Sequence, residues 1–357
     1  MKIAKLNASK FAVLKLFTLT MSTLLLSACG SVQYYSQSVV GHSQLMMARK
    51  SVDKVIETAN IELRSKLELS KELKQFAIDQ LSLPNTKSYD SYVELDREYP
   101  VWTVVAAPEF SLKAKQWCYL VIGCASYRGY FKLEAAQKYA GSLQQKGFET
   151  VVNGASAYST LGWFSDPLLP SMMRHGDAQF AETLFHEMAH QRLYIKGDSD
   201  FNEAFASLVA EIGVQRWLEQ NQVLENRQSL VAHKKSLAIQ ADFYELLNHT
   251  KADLETLYQS EQSIESKRRL KRDIFDKLKA DHSKLVDLRW NGKAWYQTWF
   301  EPSLNNAKFV SISTYRERVE ELRQLLNECE NQLERFYKVL SIVEAVDGSV
   351  ELPGDCN

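Results

Sequence analysis

Two histidines stand four residues apart near the middle of the chain, in the run His186-Glu187-Met188-Ala189-His190. On a helix, residues at this spacing lie one turn apart on the same face, so both imidazoles can bind one metal ion. Glu187 follows the first histidine directly, where its carboxylate can act as general base on a water at the metal. The pattern therefore predicts a zinc-dependent hydrolytic site.

A catalytic zinc ion takes three protein ligands and keeps one position open, so the two histidines need a partner. Gly197-Asp198-Ser199-Asp200 indicates a turn with good N-cap residues, and a second helix opens at Phe201-Asn202-Glu203-Ala204-Phe205-Ala206. Packed against the first helix, the second can supply Glu203 as the third ligand of one Zn²⁺ per chain. The alternative, two surface histidines on a charged helix, leaves the second helix unexplained.

These two helices resemble the gluzincin peptidases, in which the third zinc ligand is a glutamate on the helix that follows the histidines. Only twelve residues separate His190 from Glu203, fewer than in thermolysin or in aminopeptidase N-type enzymes. The short gap matches the putative aminopeptidase family of bacterial lipoproteins, which the chain resembles over nearly all of its mature part. The other motifs of this resemblance are Tyr35-Ser36-Gln37-Ser38, Tyr127-Arg128-Gly129-Tyr130-Phe131, Ala157-Tyr158-Ser159-Thr160-Leu161-Gly162-Trp163-Phe164-Ser165-Asp166-Pro167-Leu168 and Leu304-Asn305-Asn306-Ala307.

The resemblance implies a peptidase, and its family name implies an aminopeptidase that hydrolyses N-terminal residues of peptides. Zinc chemistry gives the mechanism: a zinc-activated water attacks the carbonyl, and Glu187 takes its proton and passes it to the leaving amine. A periplasmic zinc endopeptidase and a non-catalytic metal-binding envelope lipoprotein are the alternatives. Glu187 argues against the last, because a structural zinc site needs no base.

Gluzincins stabilise the oxyanion with a downstream Tyr or His in addition to zinc. The candidates in this chain are Tyr315 and His233, and Tyr315 is preferred as the second catalytic residue. Its alternative role is that of a core tyrosine on a helix.

In gluzincins a substrate-binding edge strand precedes the metal helices, and the resemblance places it between Phe148 and Tyr158. An edge strand can pair with an extended peptide, and Gly154 would permit close approach. We therefore expect Gly154, Tyr158 and Asp166 to bind substrate. An acid that holds the free α-amino group separates an aminopeptidase from an endopeptidase, and Asp166 is the candidate. Aspartate before Pro167 is equally a plain turn signal.

The N-terminus carries a different pattern. Four lysines precede an apolar stretch from Leu16 to Leu26 that is too short to span a bilayer comfortably. Leu26-Ser27-Ala28-Cys29 then resembles the lipobox of bacterial lipoprotein precursors. This implies a signal peptide, lipidation of Cys29, and an exported, membrane-anchored protein. The protein would face the periplasm or the cell exterior. An ordinary cleaved signal and an uncleaved anchor are the alternatives.

Lys and Arg total 43 and Asp and Glu total 44, so the chain lacks the basic footprint of a nucleic-acid-binding protein. We expect peptide substrates and a membrane as partners, with no nucleic acid and no obligate protein partner.

Four cysteines remain besides Cys29, an even number that suggests disulfides in an oxidising compartment. Four cysteines allow three pairings, and the sequence does not choose among them. Cys118 with Cys124 would close a small loop, and Cys329 with Cys356 would pin the C-terminus.

These patterns predict an α+β fold that is mainly α. The expected organisation is a signal peptide at 1–28, a lipidated tether at 29–43, a metallopeptidase core at 44–221, a helical region at 222–347 that packs on the core and completes the site, and a tail at 348–357. The core would contain the edge strand and the two metal-ligand helices of a gluzincin. Leu224 to Leu288 lacks Gly and Pro, which predicts one long amphipathic helix or a helical hairpin. A final helix is expected from about Thr314 to Val346.

Overall fold

The computed structural model describes residues 33–119, 123–160, 162–220, 224–313, 316–346 and 348–356. Compactness divides the chain into one unit at 1–48 and another at 49–357. The described part of the first unit is a helix, α1, at 33–47, so the predicted tether is helical from residue 33. The predicted signal peptide and Cys29 lie outside the described residues. Within the described ranges, no helix has both the length and the apolar character needed to cross a membrane.

The second unit is mainly helical, as the sequence predicts, with small antiparallel sheets. Its elements in chain order are β1 (Lys50–Ser51), α2 (Val52–Thr58), α3 (Ile61–Leu81), β2 (Ser91–Tyr92), β3 (Val101–Pro108), β4 (Trp117–Tyr119), β5 (Gly123–Ala125), β6 (Arg128–Tyr130), α4 (Leu133–Gln144), β7 (Phe148–Ala155), α5 (Pro170–Met173), α6 (Asp177–Arg192), α7 (Ser199–Gln220), α8 (Leu224–Gln259), α9 (Ile264–Leu288), a short 3₁₀ turn (Gln297–Phe300), α10 (Asn306–Ser313), α11 (Arg316–Glu328), α12 (Leu333–Leu340), β8 (Ala345–Val346) and β9 (Ser349–Val350).

The largest sheet has three strands in the order β6-β3-β7. β7 pairs antiparallel with β3 along its whole length, from Val101 opposite Ala155 to Pro108 opposite Phe148. Side chains of a strand alternate between its faces, and Val105 and Ala107 of β3 pack against Ala307 and Val310 of α10. α4 also packs on β3 and β7. β7 is an edge strand of this sheet among the described residues, which is the position predicted for it.

The two metal-ligand helices predicted from the sequence, α6 and α7, pack against each other. Gly213 of α7 lets them approach closely, because a Cβ there would lie 2.7 Å from Phe185 Cδ2 and 2.7 Å from Leu81 Cδ1. Phe185 and Leu81 are fully buried, so neither side chain has room to retreat. The absence of a side chain at this position thus sets the distance between α7 and its neighbours.

The charged segment after α7 is a hairpin of α8 and α9, which resolves the alternative left open by the sequence. Ser263 ends the connection and caps α9 by accepting a hydrogen bond from the Ser266 N–H. Phe243 of α8 stacks on Tyr296 with ring centroids 4.0 Å apart and contacts Trp299 edge-on. The tryptophan-rich segment after α9 therefore folds back onto the hairpin as part of its core.

A buried ion pair docks the hairpin onto the sheet. Lys271 Nζ of α9 lies 2.6 Å from Glu149 Oε1 of β7 and donates to the Glu109 carbonyl at 2.8 Å. The other oxygen of Glu149 accepts the Asn306 N–H at the start of α10. Sheet, hairpin and α10 thus share one polar network.

The prediction of a single final helix from about Thr314 to Val346 is wrong. The chain forms α11, α12 and the β8-β9 hairpin there. Glu330 and Asn331 between α11 and α12 have φ angles of +57° and +59°. Left-handed residues cannot continue a right-handed helix, so the chain turns and α12 packs separately.

The disulfides join Cys118 to Cys124 and Cys329 to Cys356. The first links β4 to β5 of one hairpin, and the second holds the C-terminal segment to the end of α11. Of the three pairings that the sequence allows, the fold selects this one.

Candidate metal centre

His186 and His190 lie one turn apart on α6, and their rings meet edge to face with centroids 4.8 Å apart. The two Nε2 atoms are 3.2 Å apart. His190 is 6% exposed, whereas the His186 side chain is more open. The helix thus aims both imidazoles at one point, as their spacing predicts.

Glu203 reaches the same point from the first turns of α7. Its Oε2 lies 3.2 Å from His186 Nε2, and its Oε1 lies 3.8 Å from His190 Nε2. One ligand atom from each of the three residues lies within 4.8 Å of the other two. The structure therefore brings together the three residues that the sequence proposes as ligands.

The turn between α6 and α7 is held by a buried asparagine next to Glu203. Asn202 is 1% exposed, accepts from the Ile195 N–H at 2.8 Å and donates to the carbonyls of Ile195 and Asp198. Asp198 caps α7 through the Phe201 N–H and also accepts the Val350 N–H. These bonds fix the position from which Glu203 projects.

The three side chains form a coupled electrostatic group. Burial lowers the pKa of His190 to about 4, which keeps its imidazole neutral. Burial alone would raise the pKa of Glu203, but its hydrogen bond to His186 and its electrostatic interactions with the two histidines lower that pKa to about 2. A neutral imidazole and an ionised carboxylate are the forms that bind a divalent cation.

The donor set and its spacing fit zinc. Two donor atoms that bind one zinc ion at tetrahedral geometry lie about 3.3 Å apart. Two of the three donor-atom spacings, from His186 to His190 and to Glu203, are 3.2 Å, and the third, from His190 to Glu203, is longer at 3.8 Å. Two imidazoles and one carboxylate are a catalytic zinc set that leaves a fourth position open. His190 Nδ1 is buried without a hydrogen-bond partner among the described residues.

Glu187 lies beside this cluster, and its carboxylate is hydrogen-bonded to Ser159. Burial raises its pKa to about 7, against the lowering effect of His186 and with added repulsion from Glu203 and Asp166. A carboxyl group with this pKa can both accept and release a proton near neutral pH, as a general base requires.

Asp166 lies close enough to raise the pKa of Glu187, and its side chain is fully buried. Its carboxylate accepts the Thr160 N–H at 2.9 Å and the Thr160 hydroxyl at 2.7 Å. Its own N–H donates to Ser88 Oγ, and its carbonyl accepts the Tyr89 N–H. The Asp166 carboxylate holds the loop through Thr160 and is closed to solvent in this structure, and its predicted role in binding the substrate amine stays a prediction.

Gly154 and Tyr158 lie on and just after the edge strand β7. A Cβ at Gly154 would collide with the ring of Tyr99, so the close approach that this glycine permits is made by a side chain of the protein itself. The half-buried Tyr158 packs on Phe131 with ring centroids 5.4 Å apart. Neither contact tests the predicted substrate-binding roles, which stay predictions.

Tyr315, the predicted oxyanion stabiliser, lies outside the described residues. The other candidate, His233, is buried near Glu211, and burial lowers its pKa.

Tyr89 is a neighbour of the site that the sequence did not reveal. It has a φ angle of +67°, which is rare for a bulky residue, and it is 4% exposed. Its hydroxyl is buried beside the side chain of Gln191. Burial raises its pKa, and the carboxylates of Glu187 and Asp166 raise it further. Tyr89 is therefore part of the environment of Glu187, and no motif around it indicates this.

The described residues form a mainly helical protein in which two histidines and one carboxylate converge on a candidate metal site, with the half-buried Glu187 beside it. A family model described as "Putative aminopeptidase" matches residues 33–349, and the chain belongs to this family. That match confirms the putative aminopeptidase part of the resemblance seen in the sequence motifs. No curated protein and no solved structure matches the chain.

Proposed function

We propose that the protein is a zinc-dependent peptidase of the gluzincin type and, as its family description suggests, an aminopeptidase. The convergence of His186, His190 and Glu203 beside the half-buried Glu187 carries this proposal. A structural metal site would need no such base.

Zinc bound to the three ligands would polarise the scissile carbonyl and acidify a nearby water toward a pKa of about 7. Glu187 accepts the proton of the attacking water and delivers it to the leaving amine. Ser159 holds the Glu187 carboxylate in place through its hydrogen bond. Asn202 fixes the turn that presents Glu203.

The edge position of β7 supports binding of an extended peptide by strand addition. Part of the β7 backbone already has a hydrogen-bond partner within the protein, because Asn305 donates to the Thr150 carbonyl. We therefore place peptide binding toward the 152–155 end, which leads to Tyr158 and Ser159.

An endopeptidase is the second candidate, and the burial of Asp166 favours it. An aminopeptidase needs a group that recognises the free α-amine, whereas an endopeptidase does not. In this structure the candidate for amine recognition, the Asp166 carboxylate, is hydrogen-bonded to Thr160.

We further propose that the protein is exported and anchored through a lipid on Cys29. The lipobox-like run and the two disulfides support this proposal, because disulfides persist in oxidising compartments.

The test is metal analysis of the purified full-length protein followed by a peptide-cleavage profile read by mass. We expect one zinc per chain and stepwise loss of residues from peptides with a free N-terminus. Peptides with an acetylated N-terminus should resist cleavage. Internal cleavage of both sets would identify an endopeptidase, and a zinc-loaded protein that cleaves neither set would contradict the peptidase proposal.

A further inference from the structure

Two neighbouring aromatic side chains of the 159–166 loop are exposed to solvent. Trp163 is 71% exposed and Phe164 is 54% exposed. Large aromatic residues are usually buried over most of their area, and adjacent exposed ones mark contact surfaces more often than chance. The loop is thus a candidate recognition element.

The exposure does not come from a loosely held loop. Asp166 closes the loop through two bonds to Thr160, and the Thr160 hydroxyl also accepts the Phe164 N–H at 3.0 Å. The Trp163 N–H donates to the Thr160 carbonyl at 3.1 Å. Arg49 holds the Ser165 carbonyl from outside the loop at 2.8 Å. The backbone that carries both aromatic residues is therefore organised before any ligand binds.

The same loop lies along the helix that carries the two histidines. Ser159 is hydrogen-bonded to Glu187, and a Cβ at Gly162 would lie 3.9 Å from Gln191 Cγ. Glu187 and Gln191 are one turn apart on α6 and flank His190 on the helix. The two contacts place the loop that carries the aromatic residues beside the part of α6 that holds Glu187, His190 and Gln191.

We propose that Trp163 and Phe164 form the subsite for a large apolar side chain next to the scissile bond. The preferred substrates are then peptides with Leu, Phe or a similar residue at that position. An ordered aromatic surface binds such a side chain at little cost in conformational entropy. This proposal rests on the peptidase function and names its substrate class.

The test compares the parent protein with Trp163→Ala on a series of host peptides. The peptides differ only in one residue beside the cleaved bond, which is Leu, Phe, Ala or Asp. We expect KM for the Leu and Phe peptides to rise about tenfold in the variant. For the same peptides kcat should stay within about twofold, and zinc content should not change. The Ala and Asp peptides should be nearly unaffected.

Trp295→Ala is the matched control, because Trp295 is 44% exposed and lies in the segment after α9. It should leave all four peptides unchanged. Equal losses on all four peptides in Trp163→Ala, or no loss on any, would overturn the proposal. A third outcome would also overturn it. If Trp163→Ala leaves the peptide kinetics unchanged but weakens binding to phosphatidylglycerol vesicles, both measured in a Cys29→Ala background, the loop contacts a membrane and not a substrate.

A peptide-binding measurement distinguishes failure of the proposed peptidase function from failure of the proposed subsite. If the parent cleaves no peptide, calorimetry with the Glu187→Gln chain still measures whether Leu peptides bind more tightly than Ala peptides. A preference that disappears on adding Trp163→Ala supports the subsite, and equal binding of both peptides rejects it.

Discussion

Glu203 Oε2 lies 3.2 Å from His186 Nε2, although the two residues are 17 positions apart in the sequence and a turn of the chain lies between them. The bonds of Asn202 across that turn set this distance. The third ligand therefore depends on the turn as much as on the helix that carries it.

If Glu203 is a ligand, Glu203→Ala should lower zinc affinity by orders of magnitude and abolish cleavage, since two imidazoles rarely hold catalytic zinc. Zinc content after dialysis against a weak chelator measures this. Glu182→Ala is a control, because Glu182 lies one turn before His186 and interacts with it electrostatically without belonging to the ligand cluster. A Glu203→Ala protein that keeps a full zinc equivalent and normal turnover would contradict the assignment.

Glu187→Gln should retain zinc and lose hydrolysis by about 10²–10⁴-fold, because it removes the base and keeps the shape of the side chain. Metal analysis and single-turnover rates on the same sample separate the two effects. Turnover within a few-fold of the parent would exclude Glu187 as the base. Ser159→Ala, which removes a hydrogen bond to this carboxylate, should have a smaller effect on the same rate.

Lys271→Met leaves the half-buried Glu149 without its cation, and we expect it to lower the free energy of unfolding by about 1–3 kcal/mol. Lys277→Met on the same helix is the matched control. It removes a pair with Asp253 in which both side chains are largely exposed, and it should cost less than about 1 kcal/mol. Urea denaturation gives both values, and equal losses would show that the buried pair does not dock the hairpin.

Two glycine substitutions should change the free energy of unfolding in opposite directions. Gly213→Ala should destabilise the protein by about 1–3 kcal/mol, because its methyl group meets Phe185 and Leu81. Gly141→Ala in α4 meets no atom within 4 Å and should stabilise by about 0.4–1 kcal/mol through the unfolded chain. Thermal unfolding of both variants checks the difference, and a neutral Gly213→Ala would mean that α6 and α7 can move apart.

The stability of the fold should depend on pH through Asp166. Burial raises its pKa from 3.8 to about 6, against the lowering effect of the Thr160 bonds. Between these values the folded protein holds a proton that the unfolded chain releases, so stability falls as the pH rises from about 4 to about 6. The contribution is at most about 3 kcal/mol. Asp166→Asn removes this titration and can still bond Thr160.

Chemical denaturation at several pH values measures this effect as the difference in free energy of unfolding between the parent protein and Asp166→Asn. We expect the variant to gain stability relative to the parent as the pH rises. A constant difference between pH 4 and about 7 would show that Asp166 does not titrate with a raised pKa.

The local parts of this protein were predictable from the sequence because they depend on short-range periodicity. The spacing of His186 and His190 places them on one helix face whatever surrounds the helix. The turn and caps before Glu203 are likewise local, and β7 follows from its residue types between a glycine and a polar loop. Family membership followed from motifs that remain visible in the linear chain.

The tertiary structure decided what depends on contacts between distant residues. The charged segment folds into two helices that pack against each other, and Phe243 of α8 packs on Tyr296 and Phe300 of the segment after α9. Asp166 precedes a proline in a polar loop, and only its contacts with Ser88 and Tyr89 bury it. Tyr89 carries no motif and comes close to Glu187 only through the fold. Burial and the pKa of a side chain are properties of its neighbours in space, and the linear sequence does not contain those neighbours.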